Sequence, residues 1–243
     1  MEPSCSPAPF SFVDLEGASI LQQLRWEEAL LRADQRNWCL INRQKSSAIV
    51  LGISGKLEEA VDREKYKQHP VPLLRRFSGG GTVFIDENTL FITMICNTAA
   101  IPIPPFPHSI LSWNSALYRP LFKDLPFSLR ENDYVLGDKK WGGNALSVTK
   151  QRWLHHTSLL WDYEENRMNY LLPPIKTPSY RNQRPHGDFL CRLKAYWPSA
   201  DHFFTAFSQR LHRLFPIEKS TKEELQAIER RPHRKATQEI FFD

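Results

Sequence analysis

The sequence predicts an α+β fold with mainly antiparallel strands and with helices packed on one side. Three observations support this prediction. Helical patterns recur along the chain, strand-like runs lie between them, and apolar residues make up 41% of the sequence, with 15 Phe and 7 Trp. That apolar content is enough for a substantial core, and 243 residues suit one large domain or one domain with a small appendage.

The first expected elements lie in the N-terminal third of the chain. Residues 1–16 contain Pro and Ser and are expected to form a disordered tail. Residues 18–34 are expected to form a helix, because Ile20, Leu24 and Leu31 recur on one apolar stripe. The next expected elements are a strand at 39–41, a strand at 48–52 and a short helix at 57–66 that ends before Pro70 and Pro72.

A β-meander is expected in the centre of the chain. Its three strands are residues 73–76, 82–85 and 90–96. Three consecutive glycines make a tight loop after the first strand, and an Asp-Glu-Asn turn follows the second.

The rest of the chain begins with a proline-rich connector at 101–107, which has too few amide donors for a regular element. A loop at 180–188 is rich in Arg and His. The regular elements are expected to be a helix at 109–122, strands at 134–136, 141–148 and 153–161, and helices at 199–214 and 219–231.

Charge and cysteine content bound the classes of partner. The net charge of +5 favours an acidic protein, a nucleotide or a nucleic acid, or it reflects an ordinary solvated surface. No basic patch interleaved with aromatic residues stands out, so we expect no nucleic-acid partner. The four cysteines form no CxxC pair, so we expect reduced thiols rather than a zinc site or a disulfide framework: Cys5, Cys39, Cys96 and Cys191.

The N-terminal residues have neither a basic start nor an apolar core, so no secretory signal or transit peptide is expected. No apolar run approaches the roughly 20 residues that cross a bilayer, so no membrane association is expected. A cytoplasmic protein fits these features and the reduced thiols, as does a protein of the mitochondrial or plastid matrix.

The first chemical signal is the glycine loop, residues 78–82. Three glycines in a row allow positive φ and a close approach to a ligand, and successive amides there can bind phosphate or carboxylate oxygens. Arg75 and Arg76 precede the loop and can bind phosphate. By itself the pattern also suits a flexible turn beside two surface arginines. It is neither a P-loop nor a GxGxxG loop.

The second signal is Lys140, which lies among small residues in 138–145. A fixed ammonium group can stabilise negative charge on the oxygens of a phosphate or a carboxylate. The alternative is a pair of exposed lysines in a hairpin turn. Asn132 and Asp133 form an Asn-Asp pair, which suits a simple turn, and the Asp133 carboxylate is equally of the type that Mg²⁺ binds. His155 and His156 should face opposite sides of a strand, so at most one faces the site.

These two segments resemble those of one known family. Residues 72–86, PLLRRFSGGGTVFID, are similar to the RRxSGGGxVxxD signature of the lipoate–protein ligase A family, within the biotin/lipoate A/B protein ligases. Lys140 matches the family's catalytic lysine. Ile85 stands where a histidine is frequent, and Leu146 where glutamine is usual. The resemblance implies a site for ATP and lipoyl-AMP made of Arg76, Ser78, Gly79, Gly80, Gly81, Thr82, Val83, Phe84, Asp133, Lys140, Gly143, Ala145 and His156.

The resemblance also implies a domain organisation. Residues 17–214 would be a catalytic domain of the biotin/lipoate ligase type, and residues 215–243 a helical extension too short for a full accessory domain. The loop at 180–188 would close over the adenylate. Cys191 is expected to be a buried structural thiol, although an acyl-enzyme route through it stays open.

The implied activity is ATP-dependent lipoate–protein ligation, with Mg²⁺ and with lipoate or octanoate as substrate. The implied acceptors are lipoyl domains of 2-oxoacid dehydrogenase E2 subunits or the H protein of glycine cleavage, and a separate accessory-domain protein is a further possible partner. Two alternatives stay open: a lipoyl- or octanoyltransferase without its own ATP activation, and a non-catalytic homologue that binds lipoyl-adenylate.

Overall fold

The computed structural model describes residues 7–174 and 177–242. The described strands are β1 (Phe10–Asp14), β2 (Asn37–Arg43), β3 (Ala48–Leu51), β4 (Leu73–Arg75), β5 (Val83–Ile85), β6 (Thr89–Asn97), β7 (Phe127–Arg130), β8 (Asp133–Leu136), β9 (Lys139–Val148), β10 (Arg152–Leu160), β11 (Ile217–Lys219) and β12 (Gln238–Glu239). The described α-helices are α1 (Ile20–Ala33), α2 (Leu57–Ala60), α3 (Arg63–Gln68), α4 (Pro107–Tyr118), α5 (Glu165–Met168), α6 (His186–Phe189), α7 (Ala200–Leu214) and α8 (Lys222–Glu229).

The strands form a large and a small sheet. The large sheet has the order β11-β1-β2-β6-β10-β9-β8-β7, and the small sheet has the order β12-β4-β3-β5. Most neighbours are antiparallel, whereas β1 is parallel to β2 and β11, and β3 is parallel to β4. The predicted α+β class with mainly antiparallel strands is confirmed.

Helices cover both faces of the large sheet rather than one. Helices α4 and α7 bury one face in a core that includes Phe122, Trp153 and Phe207. Helices α1 and α8 pack on the opposite face, where Trp26 and Leu225 meet. The cause is visible in β6, where every residue from Thr89 to Cys96 is buried, so apolar side chains on both faces need cover.

The expected β-meander is wrong in its pairing. Strands β4 and β5 do not pair with each other, because both pair with β3, one on each side. Strand β6 belongs to the large sheet. The glycine segment therefore crosses the end of β3 instead of closing a hairpin, which brings it within reach of the large sheet.

The two ends of the described chain join the sheets. Residues 1–16 were expected to be a disordered tail, but Phe10–Asp14 forms β1, and Phe10 and Val13 are buried between neighbouring elements. The expected C-terminal helix is present as α8. Residues 215–242 also supply β11 and β12, which pair with β1 and β4. Strands of two or three residues carry too short a pattern to be predicted.

Smaller differences concern helix boundaries. The helix expected at 57–66 divides into α2 and α3, because Asp62 caps α3 by accepting hydrogen bonds from the Glu64 and Lys65 amides. The helix expected at 109–122 ends as a 3-10 turn over Arg119–Phe122. No helix in the described part of the chain combines the length and the apolar character that crossing a membrane requires.

Candidate active site

The glycine loop lies against β9, the strand that carries Lys140. The Gly79 amide donates to the Leu146 carbonyl at 2.8 Å, and the Leu146 amide donates back to Gly79 at 3.3 Å. This bridge links the segment after β4 of the small sheet to β9 of the large sheet. It places the glycine loop over the part of β9 that contains Gly143 and Ala145.

Arg76 stabilises the conformation of the glycine loop. Its side chain is buried, and its guanidinium donates to the carbonyl oxygens of Gly81 at 2.8 Å and Gly79 at 3.3 Å. Burial lowers the pKa of Arg76 to about 10, and the charge of Glu27 partly offsets this effect. The Arg76 guanidinium therefore lies against the loop, and its hydrogen bonds orient the Gly79 and Gly81 carbonyls toward it.

Gly80 meets a steric requirement that only glycine satisfies. Its φ is +123°, and a Cβ there would lie 2.6 Å from the Arg76 guanidinium and 3.0 Å from the Asn144 carbonyl oxygen. Within the described part of the chain, the amides of Gly80 and Gly81 donate to no protein acceptor. They are therefore available to the oxygen atoms of an anionic ligand.

Lys140 forms an ion pair with Asp133 at the edge of the same site. Its Nζ is 2.7 Å from Oδ1 of Asp133, which is largely buried. The position that a Cβ would take at Gly143 lies 3.6 Å from Nζ, so the ammonium group rests directly beside this glycine on β9. The Lys140 side chain is 24% exposed, so it can reach a ligand without crossing the core.

Asp133 was expected to be a Mg²⁺ ligand. Both carboxylate oxygens are engaged here, since Oδ2 accepts a hydrogen bond from the Tyr180 hydroxyl at 2.9 Å. Among the described residues, no group of three His, Cys, Asp or Glu side chains is placed to hold a metal ion. Asp133 alone fits Mg²⁺ only as one ligand beside phosphate oxygens and water.

The adjacent histidines face opposite sides of β10, as expected. His156 lies between the sheets, and its Nδ1 is 2.9 Å from Oε2 of the fully buried Glu27. Burial alone would raise the pKa of Glu27. The charge of His156, with hydrogen bonds from His156, Thr93 and Gln23, instead lowers it below the ordinary value. His156 pairs across the strands with Ala145, directly below the glycine loop.

His155 lies on the other face of β10, inside the helix-covered core. Its Nε2 is 2.9 Å from Oδ1 of Asn144, and that same oxygen accepts from the Thr157 hydroxyl. Burial lowers the pKa of His155 to about 3, with a smaller contribution from the charge of His156. His155 is therefore a neutral structural residue that orients Asn144 on β9.

Most of the predicted site residues lie in one region between the sheets. Bridges and close approaches connect Arg76, Gly79, Gly80, Gly81, Asp133, Lys140, Gly143, Ala145 and His156. Ser78 is buried, and its hydroxyl has no hydrogen-bond partner in the described part of the chain. Val83 packs toward α1, and Thr82 is half-buried. The Phe84 side chain packs against Tyr170 on the outer face of the small sheet.

Glu27 is a site residue that the sequence pattern concealed. It is fully buried on α1, together with Gln23 one turn earlier, although a charged side chain on a helix is ordinarily solvated. The available signal was the four-residue spacing of Gln23 and Glu27, which places both on the stripe defined by Ile20 and Leu24. A polar pair within an apolar stripe indicates a buried network rather than a solvated face.

The loop expected to cover the site packs on the turns before and after β8. Arg184 pairs with Asp138 at 2.6 Å, and Ser179 donates to Glu131. Cys191 follows this loop, and its thiol is largely buried beside the Lys139 carbonyl. Burial raises the pKa of Cys191 to about 11, so the thiol stays protonated and lacks the nucleophilic form.

Comparisons with known proteins give a consistent result. The family model described as "Lipoyl protein ligase A/B catalytic domain" matches residues 19–212. A Plasmodium falciparum protein named inactive lipoate–protein ligase 2 is 28% identical, over 82% of this chain and 67% of that protein. A Streptococcus pyogenes lipoate–protein ligase is 30% identical over 49% of this chain. The match spans only 36% of the streptococcal protein.

Solved structures share the fold. The bipartite lipoate protein ligase of Thermoplasma acidophilum, studied with its E2 lipoyl domain, has a TM-score of 0.73 at 19% identity, covering 93% of this chain and 91% of that one. A lipoate–protein ligase A bound with ATP has a TM-score of 0.70 at 20% identity, covering 92% of each chain. The family model spans most of the sequence, and the chain belongs to the lipoyl protein ligase A/B catalytic domain family.

Proposed function

We propose that this protein is a lipoate–protein ligase, which activates lipoate or octanoate with Mg-ATP and transfers the acyl group to a lysine of a lipoyl domain. One observation supports this proposal most strongly. The Lys140 ammonium lies beside Gly143 on β9, and Gly80, whose amide is free of partners among the described residues like that of Gly81, approaches Ala145 two residues further along the same strand. A cation and free amides together suit the charged phosphate of an acyl-adenylate.

The first reaction step would form the adenylate. A carboxylate oxygen of lipoate attacks the α-phosphorus of ATP, and the bond to pyrophosphate breaks. Lys140 would stabilise the charge that builds on the α-phosphate, while Arg76 keeps the glycine loop in its binding shape. Mg²⁺ would neutralise phosphate charge, with Asp133 as a candidate ligand once its present partners release it.

The second step would transfer the acyl group. The neutral amine of the acceptor lysine attacks the acyl carbon, the carbon–oxygen bond to AMP breaks, and the amine loses a proton. No nucleophile from this chain is required, which agrees with the protonated and buried thiol of Cys191. We propose E2 lipoyl domains or the glycine cleavage H protein as acceptors, since a Thermoplasma acidophilum relative was studied with its E2 lipoyl domain.

A second candidate is transfer from preformed lipoyl-AMP without ATP activation. It is favoured by one observation: the Plasmodium falciparum relative that aligns with 82% of this chain, at 28% identity, is named inactive. The bipartite nature of the Thermoplasma acidophilum ligase also makes a separate accessory protein a reasonable partner. The free thiols of Cys39, Cys96 and Cys191 suit a reducing compartment, the cytoplasm or an organelle matrix.

One experiment separates these activities. The protein is incubated with an apo lipoyl domain and one acyl donor at a time, and the acceptor is weighed by mass spectrometry. The donors are lipoate with Mg-ATP, synthetic lipoyl-AMP, and octanoyl-acyl carrier protein. Modification from lipoate and ATP supports the ligase, and modification from lipoyl-AMP alone supports the transferase. An unchanged acceptor mass with every donor would contradict both.

Lys140 gives a direct test of the assigned chemistry. We expect Lys140→Met to lower the rate with lipoate and ATP by about 10²-fold or more, because the charge on the phosphate loses its fixed cation. Lys139→Met is the matched control, since Lys139 is the exposed neighbour on the same strand. Full activity in Lys140→Met, or equal loss in both variants, would show that the assignment of the lysine is wrong.

A further inference from the structure

We propose that Tyr180 is a positioning residue that couples the loop at 179–191 to Lys140 through the Asp133 carboxylate. This inference rests on the proposed function, because it assumes that Lys140 acts on the adenylate. It adds a residue whose effect on the ligand would pass through another side chain. The geometry of one shared carboxylate carries the argument.

The Asp133 carboxylate connects the two residues directly. Oδ1 accepts the Lys140 ammonium at 2.7 Å, and Oδ2 accepts the Tyr180 hydroxyl at 2.9 Å. A carboxylate with one donor on each oxygen has its plane fixed. The hydroxyl of Tyr180 therefore determines where Oδ1 points, and hence where the ammonium group of Lys140 rests.

The far end of the loop contacts Lys140 as well. The Cys191 amide donates to the Lys140 carbonyl at 2.9 Å, and Leu190 forms a parallel bridge to Lys140. The loop thus brackets this residue, with the side chain held through Tyr180 and the backbone held through Cys191. A loop movement at either end would shift the position of the lysine.

Tyr180 is suited to a permanent donor role. Its ring packs against Phe189, with centroids 5.3 Å apart, and lies near the Arg130 guanidinium. Burial, followed by the charge of Asp133, raises the pKa of Tyr180 well above its ordinary value. The phenol therefore keeps its proton at physiological pH and continues to donate to the carboxylate.

The loop has other anchors that do not involve this carboxylate. Ser179 donates to Glu131 through both its amide and its hydroxyl, and Arg184 pairs with Asp138. Removing only the Tyr180 hydroxyl should therefore leave the loop docked on the turns before and after β8. This makes Tyr180→Phe a specific probe of the coupling rather than of loop folding.

The test combines a double-mutant cycle with a measurement on the ligand-free protein. Binding of lipoyl-AMP is measured by calorimetry for the full chain, Tyr180→Phe, Lys140→Met and the double variant. We expect Tyr180→Phe to weaken binding about tenfold, as for loss of a hydrogen bond to a charged group. In the Lys140→Met background the same change should have almost no effect, because the cation it positions is absent.

The ligand-free measurement is the rate at which Lys140 is acetylated by limiting acetic anhydride, read by peptide mass spectrometry. We expect Tyr180→Phe to raise this rate severalfold, because the ion pair with Asp133 opens more often. The neighbouring Lys139 serves as the internal reference. Tyr170→Phe is the matched control, since it removes a hydroxyl that donates to the His69 carbonyl on the surface.

The outcomes separate the two proposals. An equal loss of affinity in both backgrounds would mean that Tyr180 acts independently of Lys140, and no loss in either would mean that it does not act; each overturns the coupling. If the wild-type chain does not bind lipoyl-AMP, the proposed function fails. The acetylation rates still test the coupling of Tyr180 to Lys140 in that case. They also test it if Lys140→Met binds lipoyl-AMP too weakly to measure. An unchanged acetylation rate of Lys140 in Tyr180→Phe overturns the coupling.

Discussion

At the scale of single residues, the site is a group of buried charges that neutralise one another. Arg76 lies under the glycine loop, and the carboxylate of Glu27 is close enough to affect its pKa. Glu27 in turn holds His156, which faces the loop from β10. Charges taken out of water destabilise a fold unless they are paired and hydrogen-bonded, so this arrangement serves the position of Arg76 more than overall stability.

Loss of the Glu27 carboxylate should therefore be costly. We expect Glu27→Ala to lower the free energy of unfolding by about 3–5 kcal/mol, because His156 loses its buried partner and Arg76 loses a compensating charge. Urea denaturation measures this difference. Glu59→Ala is the control, since Glu59 forms an exposed ion pair with Lys56, and a change within about 0.5 kcal/mol is expected. Similar losses in the two variants would contradict the buried network.

His155 predicts a dependence of stability on pH. Its pKa is about 3 in the fold, against about 6.5 in an unfolded chain, so the unfolded state binds more protons between these values. Stability should then fall as the pH drops below about 6.5, with a loss of roughly 2 kcal/mol at pH 5 from this group alone.

Denaturation of His155→Gln at pH 7 and pH 5 checks this expectation, because glutamine has no titrating ring and should remove that part of the pH dependence. His212→Gln changes an exposed histidine on α7 and should retain the dependence of the parent chain. If His155→Gln loses as much stability between the two pH values as the parent chain does, the assignment is wrong.

At the scale of secondary-structure elements, local patterns were predictable and pairings were not. Helices α1 and α7 and strands β6 and β10 follow from periodicity and apolar runs within a few residues of their observed limits. The pairing of β4 and β5 with β3 depends on contacts between distant parts of the chain, for which one sequence carries no local signal. The strands β11 and β12 were missed because three and two residues are too short to carry a pattern.

The residues of the candidate site also divide into those that the sequence predicted and those that it did not. The glycine loop stood out because three consecutive glycines lie between strands, and Lys140 stood out because its segment resembles the family pattern. Glu27 and Tyr180 did not, since their importance comes from what the fold places beside them. Asp133 was a candidate from its Asn-Asp pair and from the resemblance, yet its contact with Tyr180 depends on the docking of a loop more than forty positions later in the sequence.

The glycine loop allows a test of one element with a control inside it. We expect Gly80→Ala to lower the free energy of unfolding by about 1–3 kcal/mol, because the methyl group would clash with Arg76 at a φ of +123°. Gly81→Ala should change it by no more than about 0.5 kcal/mol, since a Cβ there meets nothing within 4 Å. Thermal denaturation of both variants measures the difference, and equal destabilisation would contradict the described loop.

At the scale of the whole molecule, the site exists because two sheets are held together at a fixed spacing. The Gly79–Leu146 bridge joins them at the site itself. On the opposite side, the C-terminal segment 236–242 runs from α8 across α1 to the small sheet. The Glu28 carboxylate accepts the amides of Ala236 and Thr237, and β12 then pairs with β4, the strand that leads into the glycine loop. This segment braces the small sheet from outside.

Removal of that segment should therefore affect the entire fold. We expect truncation after Lys235 to lower the free energy of unfolding by about 3 kcal/mol or more, since the Glu28 carboxylate loses the amides of Ala236 and Thr237, and the small-sheet core loses the apolar contacts of Ile240 and Phe242. For a chain of this size, such a loss lowers Tm by roughly 6–12 °C. Phe241→Ala is the control, because that side chain is 73% exposed and should leave Tm unchanged. Hydrogen exchange at β4 should rise in the truncated chain alone, and unaltered exchange there would show that the C-terminal segment does not brace the strand leading into the glycine loop.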